Sequence, residues 1–149
     1  MGQYRLYLHF WQWLGIMVII DKSIAIWVME HIGSYNKGMT AIGDFNSKGE
    51  LIAGIAYENY NKNCIWGHQR IDSPPSKEFW MANADYIFNQ CGCKKFSATV
   101  EADNTKAIDL NLHIGFEIEA TLHDSGKNGD LLIMTLWRDK CRFLKWIKK

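Results

Sequence analysis

Residues 100–124 read VEADNTKAIDLNLHIGFEIEATLHD, and this stretch decides the fold. The run that leads into it, KFSATVE at 95–101, alternates apolar Phe96, Ala98 and Val100 with polar neighbours, as a strand does. Asp103 or Asn104 can head a helix, because a short carboxylate or amide accepts the first unpaired backbone N–H groups. Gly115 ends that helix after Ile114, since glycine takes a left-handed C-cap backbone without a Cβ penalty. Phe116 then opens another strand, 116–122. The order predicted here is strand, Asn-headed helix, Gly-Phe turn, strand.

The pattern upstream adds a helix, a meander and a second helix. In 20–32, Ile24, Trp27, Val28 and Ile32 have helical spacing, and Gly33 suits the C-cap. Strand-like runs at 39–45, 51–60 and 64–71 are separated by Asn46-Ser47-Lys48-Gly49 and Asn61-Lys62-Asn63, both rich in turn formers, and read as an antiparallel meander. The middle run is apolar on both faces until its end, which predicts a central strand covered on both sides. Asp72-Ser73-Pro74-Pro75 breaks the meander, and 76–90 carries Phe79, Ala82, Tyr86 and Ile87 at helical spacing before Gly92. Downstream, 131–137 reads as a final strand, followed by a short basic tail.

A chain of 149 residues fits one domain able to bury a core of its own. Its 48% apolar and 22% charged residues belong to globular proteins, and a formal charge of +1 gives no electrostatic footprint for nucleic acid. The four cysteines, Cys64, Cys91, Cys93 and Cys141, fit a reducing cytoplasm, and Cys91-Gly92-Cys93 reads as a helix end with a Gly cap. His31, His113 and His123 are dispersed, so no metal centre is expected, and no nucleophile elbow occurs. The aromatic run 4–20, YRLYLHFWQWLGIMVII, is too short and too interrupted by Arg5, His9 and Gln12 for a membrane span, and lacks a signal-peptide pattern. It is read as a core strand or helix, with an extension over 1–16 that covers an apolar surface or joins a dimer, in preference to membrane contact.

The whole order predicts a mixed α/β (α+β) fold, a central, mostly antiparallel mixed sheet with helices on both faces. At this point 100–124 resembles the second acetyl-CoA-binding half of the GNAT superfamily of N-acetyltransferases, with Asn104, Ala107, Gly115 and Phe116 at the matching positions. LLIMTLWRDKCRFL at 131–144 looks like the end of that fold, particularly of branches found in phage and prophage genomes. The resemblance spans roughly 19–144.

The resemblance implies direct transfer of an acetyl group from acetyl-CoA, as cosubstrate, to a primary amine. It places the donor's pyrophosphate on the loop 70–76 that precedes the second helix. There Arg70 takes the leading position of the family motif, while Ser73 and Pro75 stand at its two glycine-type positions, with Ser73, Ser76 and Lys77 as substitute ligands. It assigns carbonyl polarisation to a backbone N–H on 64–71, up to Ile71, and cofactor positioning to Asn104. Asn104 reads equally as an N-cap. Asn111 stands where the family often keeps an acidic tyrosine, and an amide cannot protonate a thiolate, which leaves Tyr86, water or direct thiolate departure. His68, Glu58 and Glu101 lie near the strand ends that border the acceptor cleft, and imidazole has the intrinsic pKa best suited to accept an amine's proton near neutrality. The plain reading of His68 is a hydrogen-bonded wall residue, and that of Glu58 a solvated strand end. Trp137 and Trp146 fit either the core or a homodimer surface. Two functions stay open: an active cytoplasmic acetyltransferase, or a GNAT-like binding protein, phage-encoded, that docks on a host protein.

Overall fold

A computed structural model describes residues 18–30, 32–33 and 35–147. Among these, seven strands form one sheet in the order β1-β2-β3-β4-β5-β7-β6. The strands are β1 (Val18–Ile20), β2 (Thr40–Phe45), β3 (Leu51–Glu58), β4 (Cys64–Ile71), β5 (Lys95–Glu101), β6 (Glu117–Leu122) and β7 (Leu131–Trp137). The helices are α1 (Lys22–Met29), α2 (Lys77–Ala84) and α3 (Thr105–Ile114). All neighbouring strands are antiparallel except β4 and β5, which run parallel. The expected fold class is the observed one.

The turns form for the local reasons read in the sequence. The side-chain oxygen of Asn46 accepts from Lys48 N and Glu50 N, each at 3.0 Å, and that of Asn61 accepts from Cys64 N at 2.8 Å. Each Asn closes a hairpin by replacing a backbone acceptor. At the end of α3, Gly115 has φ of 121°, and its N–H bonds back to Asn111 and Leu112.

Two expectations are corrected. Residues 18–20 belong to a strand, β1, paired to β2, so the first helix starts only at Lys22, capped by Asp21, whose side chain accepts from Ser23 N. The second helix is α-helical only to Ala84 and continues as a π-helix over Asp85–Gln90, with Cys91 N bonding Tyr86 O at 2.8 Å. The tail folds as two 3₁₀ segments, Arg138–Lys140 and Arg142–Trp146. The extension read over 1–16 lies outside the described residues. Among those described, no helix is long and apolar enough to cross a membrane.

Helices cover both sheet faces, because β3 buries side chains in both directions. Ile55 and Tyr57 of β3 join Phe79 and Ile87 in the larger core cluster, against which Ala107, Ile108 and Leu110 of α3 also pack. Ala56, on the opposite face, joins Ile24, Ala25 and Val28 of α1. Tyr57 donates its buried hydroxyl to Asn83 Oδ1 at 2.5 Å, and Asn83 donates to Phe79 O at 2.8 Å, so α2 is fixed to β3 by satisfied polar groups inside an apolar layer.

Two predictions follow from packing and charge. A Cβ on Gly67 would lie 2.4 Å from the Phe96 ring and 3.3 Å from Ala56 O, so Gly67→Ala should destabilise by about 1–3 kcal/mol in denaturant unfolding. Glu119, hydrogen-bonded to Lys95 Nζ at 2.8 Å and to Thr135, has its carboxyl held below the usual value, with the Lys95 bond the larger cause. A depressed folded pKa stabilises above the unfolded value and is lost as pH falls through the folded one. Glu119→Gln should therefore reduce the loss of melting temperature between neutral pH and the acid side of the carboxylate range.

Candidate functional site

The site is built where β4 leaves β5. The two strands pair only at Cys64↔Lys95, Ile65↔Phe96 and Trp66↔Ser97, and the rest of β4 pairs on its other side alone, from Glu58↔Trp66 to Ala53↔Ile71. Asp72 N bonds Ile52 O at 2.8 Å, which sets the antiparallel alternation. By that alternation the N–H groups of Arg70 and His68 face β3, while those of Gln69 and Ile71 face the gap.

Two clefts meet there. One, of about 350 Å³, is lined by Gly67, His68, Gln69 and Glu101 together with Asn104, Ala107, Asn111 and Lys127. The other, of about 620 Å³, lies between the loop after β4 and α3, with Ile71, Ser73, Pro75, Trp80, Lys106 and Leu110 on its walls. Gln69, Asn104 and Ala107 line both. Gln69 belongs to the sheet face that carries α2 and α3, and His68, next in sequence, to the face that carries α1. A molecule in the gap is therefore reachable from both sides of the sheet.

His68 and Glu58 form a pair. His68 Nε2 lies 2.9 Å from Glu58 Oε1, with the side chains 22% and 23% exposed, so both are partly shielded yet reachable. Asn36 donates to the other Glu58 oxygen at 3.1 Å. With Nε2–H donated to Glu58, the ring's Nδ1 is its acceptor atom. Glu101, the second acid of this region, accepts Lys127 N on both carboxylate oxygens at 3.1 Å.

Asn104 caps α3, accepting from Ala107 N at 3.2 Å, and at the same time lines both clefts. Asn111 is only 1% exposed: its Oδ1 accepts from Gln69 Nε2 at 2.5 Å, and its Nδ2 rests against Met134 Sδ at 3.8 Å. This amide pair ties α3 to β4 across the opening. Tyr86 lies elsewhere, 5% exposed in the π-helix with its ring 5.1 Å from that of Tyr57, and is not among the residues lining either cleft.

The loop after β4 is turned inward on the protein. Arg70 clamps both oxygens of Asp72 at 3.0 and 3.1 Å, donates to Trp27 O at 2.8 Å and to Glu30 at 3.1 Å, and stacks 3.9 Å over the Trp27 ring. Its pKa is raised, most by the Asp72 bond. Asp72 N and Ser73 N both go to Ile52 O, and Ser76 N goes to Asp44 Oδ2 at 2.7 Å. Ser76 Oγ caps α2 by accepting from Phe79 N, and Lys77 Nζ sits 4.7 Å over the Trp146 ring.

Of the residues singled out in the sequence, His68, Ile71, Glu101, Asn104 and Asn111 lie at the gap and Glu58 stands behind His68, but four residues were passed over. Gln69 carried a usable signal, because strand alternation puts it on the opposite face from His68. Asp44, 2% exposed between apolar neighbours, was a charge in a buried strand and so needed a partner. Lys106 and Lys127 had no signal, being charged residues on a solvated helix turn and a loop. At the Cys91-Gly92-Cys93 turn the helix ends with Gly92 at φ of 65°, and burial pushes the Cys93 thiol up to about 11.

Known structures share the fold. A point mutant of the spermidine N-acetyltransferase SpeG from Vibrio cholerae matches with a TM-score of 0.66 and 15% identity over 87% of this chain and 98% of that one. The spermidine/spermine N-acetyltransferase SpeG from the same organism, in complex with manganese ions, matches with a TM-score of 0.66 and 13% identity over 89% and 98%. A chimera of Vibrio cholerae SpeG with hSSAT gives 0.67 and 15% over 87% and 99%. No protein-family model matches the chain, and no curated protein matches its sequence. With a single mixed sheet opening between β4 and β5 and helices on both faces, the chain has the GNAT fold.

Proposed function

We propose that the chain is an N-acyltransferase that moves an acetyl group directly from a thioester donor of the acetyl-CoA class to a primary amine. The observation that carries this reading is His68, paired with Glu58, on the wall of a cleft that passes between β4 and β5 and joins a second cleft at Gln69, Asn104 and Ala107. Donor and acceptor can then enter from opposite faces and meet in the gap, which supplies the proximity that a bimolecular acyl transfer needs.

Each step has a group to serve it. A thioester carbonyl in the gap receives a hydrogen bond from the N–H of Gln69 or Ile71, which stabilises charge as it develops on oxygen. The neutral amine attacks, the C–N bond forms, and its proton passes to Nδ1 of His68 while Glu58 holds the imidazolium. Collapse breaks the C–S bond, and the thiolate leaves and takes a proton from water, which His68 replaces with the proton it took from the amine, since neither Asn111 nor Gln69 has one to give as an acid. The acceptor of this chemistry is a primary amine. Spermidine, for which the similar structures are named, belongs to the same chemical class.

A second reading is a binding protein of the same fold without turnover. It is favoured by the commitment of Arg70, Ser76 and the loop N–H groups to internal partners.

Thiol release from millimolar acetyl-CoA, followed across a panel of primary amines that includes spermidine, separates the two readings. Turnover is expected with at least one amine, and none with any would favour the binding protein. In the active pairing, His68→Gln should lower kcat by about a hundredfold or more, with donor affinity retained, as measured by calorimetry. An unchanged kcat would remove His68 as the base.

A further inference from the structure

The loop between β4 and α2 is where the resemblance puts the donor's diphosphate, and such a cradle works by offering unpaired N–H groups and a helix N-terminus to an anion. Here nothing in residues 72–76 is left to offer from the backbone. Asp72 N and Ser73 N are bonded to Ile52 O, Pro74 and Pro75 have no N–H, and Ser76 N is bonded to the Asp44 carboxylate at 2.7 Å. Asp44 is 2% exposed, so a buried anion of the protein already stands at the start of α2, where the helix dipole favours negative charge. A second anion there would meet like charge.

Two nearby cations are no freer. Arg70 is held by Asp72, Glu30 and the Trp27 ring, and Lys77 lies over Trp146. Among the described residues Lys106 is the one cation lining the larger cleft, beside Asp72, which Arg70 holds. The deeper part keeps what a neutral amide-bearing arm requires: apolar Trp80, Ala107 and Leu110, and the gap-facing N–H groups of Gln69 and Ile71.

We infer that this loop does not hold a diphosphate, and that the cleft selects its donor through the pantetheine arm and the thioester. The preferred substrate class is an acyl-pantetheine thioester, with the nucleotide end of acetyl-CoA left in solvent. This rests on the acyltransferase reading and narrows its donor.

The test compares acetyl-CoA with S-acetylpantetheine, which lacks every phosphate, using one amine and the full chain. The expected kcat/KM values lie within about tenfold of each other, whereas two charge-assisted contacts to a diphosphate would favour acetyl-CoA by about a hundredfold or more. That larger preference would overturn the donor inference and leave acyl transfer standing. Asp44→Asn, which removes the anion and keeps an acceptor for Ser76 N, should raise the acetyl-CoA to S-acetylpantetheine ratio. If the variant does not fold, calorimetric titration of the unaltered protein with CoA and with pantetheine gives the same comparison without turnover. Binding of neither would sink acyl transfer and the donor inference together.

Discussion

Everything at the site depends on two parallel strands that begin together and then part. β4 and β5 share three paired positions, ending at Trp66 and Ser97. Beyond them Gly67 offers no side chain, and the Phe96 ring fills the place where a Cβ would stand. The pair is thus packed tightly up to the point where it opens. An unpaired N–H inside a sheet is costly unless something accepts from it. The opening consequently leaves β4 with donors that face a cavity, and that cavity is reachable from both faces of the sheet. The Gln69–Asn111 amide pair spans the same opening and fixes α3 at its rim.

Around this opening the protein uses its charges in two ways. On the α1 side, His68 and Glu58 form a pair that is about one-fifth exposed, close enough to solvent to exchange protons and sheltered enough to hold one geometry. Around the loop after β4, charge is consumed internally. Arg70 forks onto Asp72 of that loop and joins β4 to α1 through Trp27 O, the Trp27 ring and Glu30, and Asp44 joins β2 to the start of α2. Such bonds tie the helices to the sheet and leave little free charge to bind an external anion. The fold and its phosphate loop are therefore separable here: the same backbone path that can cradle an anion can instead be closed by a carboxylate from a neighbouring strand.

Local chemistry made most of the elements legible in the sequence. Asn46, Asn61, Asn104 and Gly115 act through bonds or backbone angles within a few residues of themselves, and each appears where it was expected. The alternation in 95–101 and the two-sided apolar run of β3 likewise fixed strand identity, because period two follows from the backbone alone. The errors lie where local signals stop. Helical spacing through 76–90 does not distinguish an α-helix from its π continuation, and Ile20 suited a helix start until β2 supplied a strand partner.

By itself the sequence determined the order of elements and the mixed sheet with helices on both faces, since these follow from periodicity, caps and chain order, while the nearness of His68, Asn104 and Asn111 to one opening was implied by the family resemblance. Only the tertiary structure decided which groups remain free. Arg70 and Lys77 look like phosphate ligands in the chain but are occupied by Asp72, Glu30, Trp27 and Trp146, and the N-terminus of α2 is filled by Asp44 from 32 residues earlier. Tyr86 looks like an acid at helical spacing and lies in the core beside Tyr57. Availability depends on long-range partners, which the sequence around a residue does not contain.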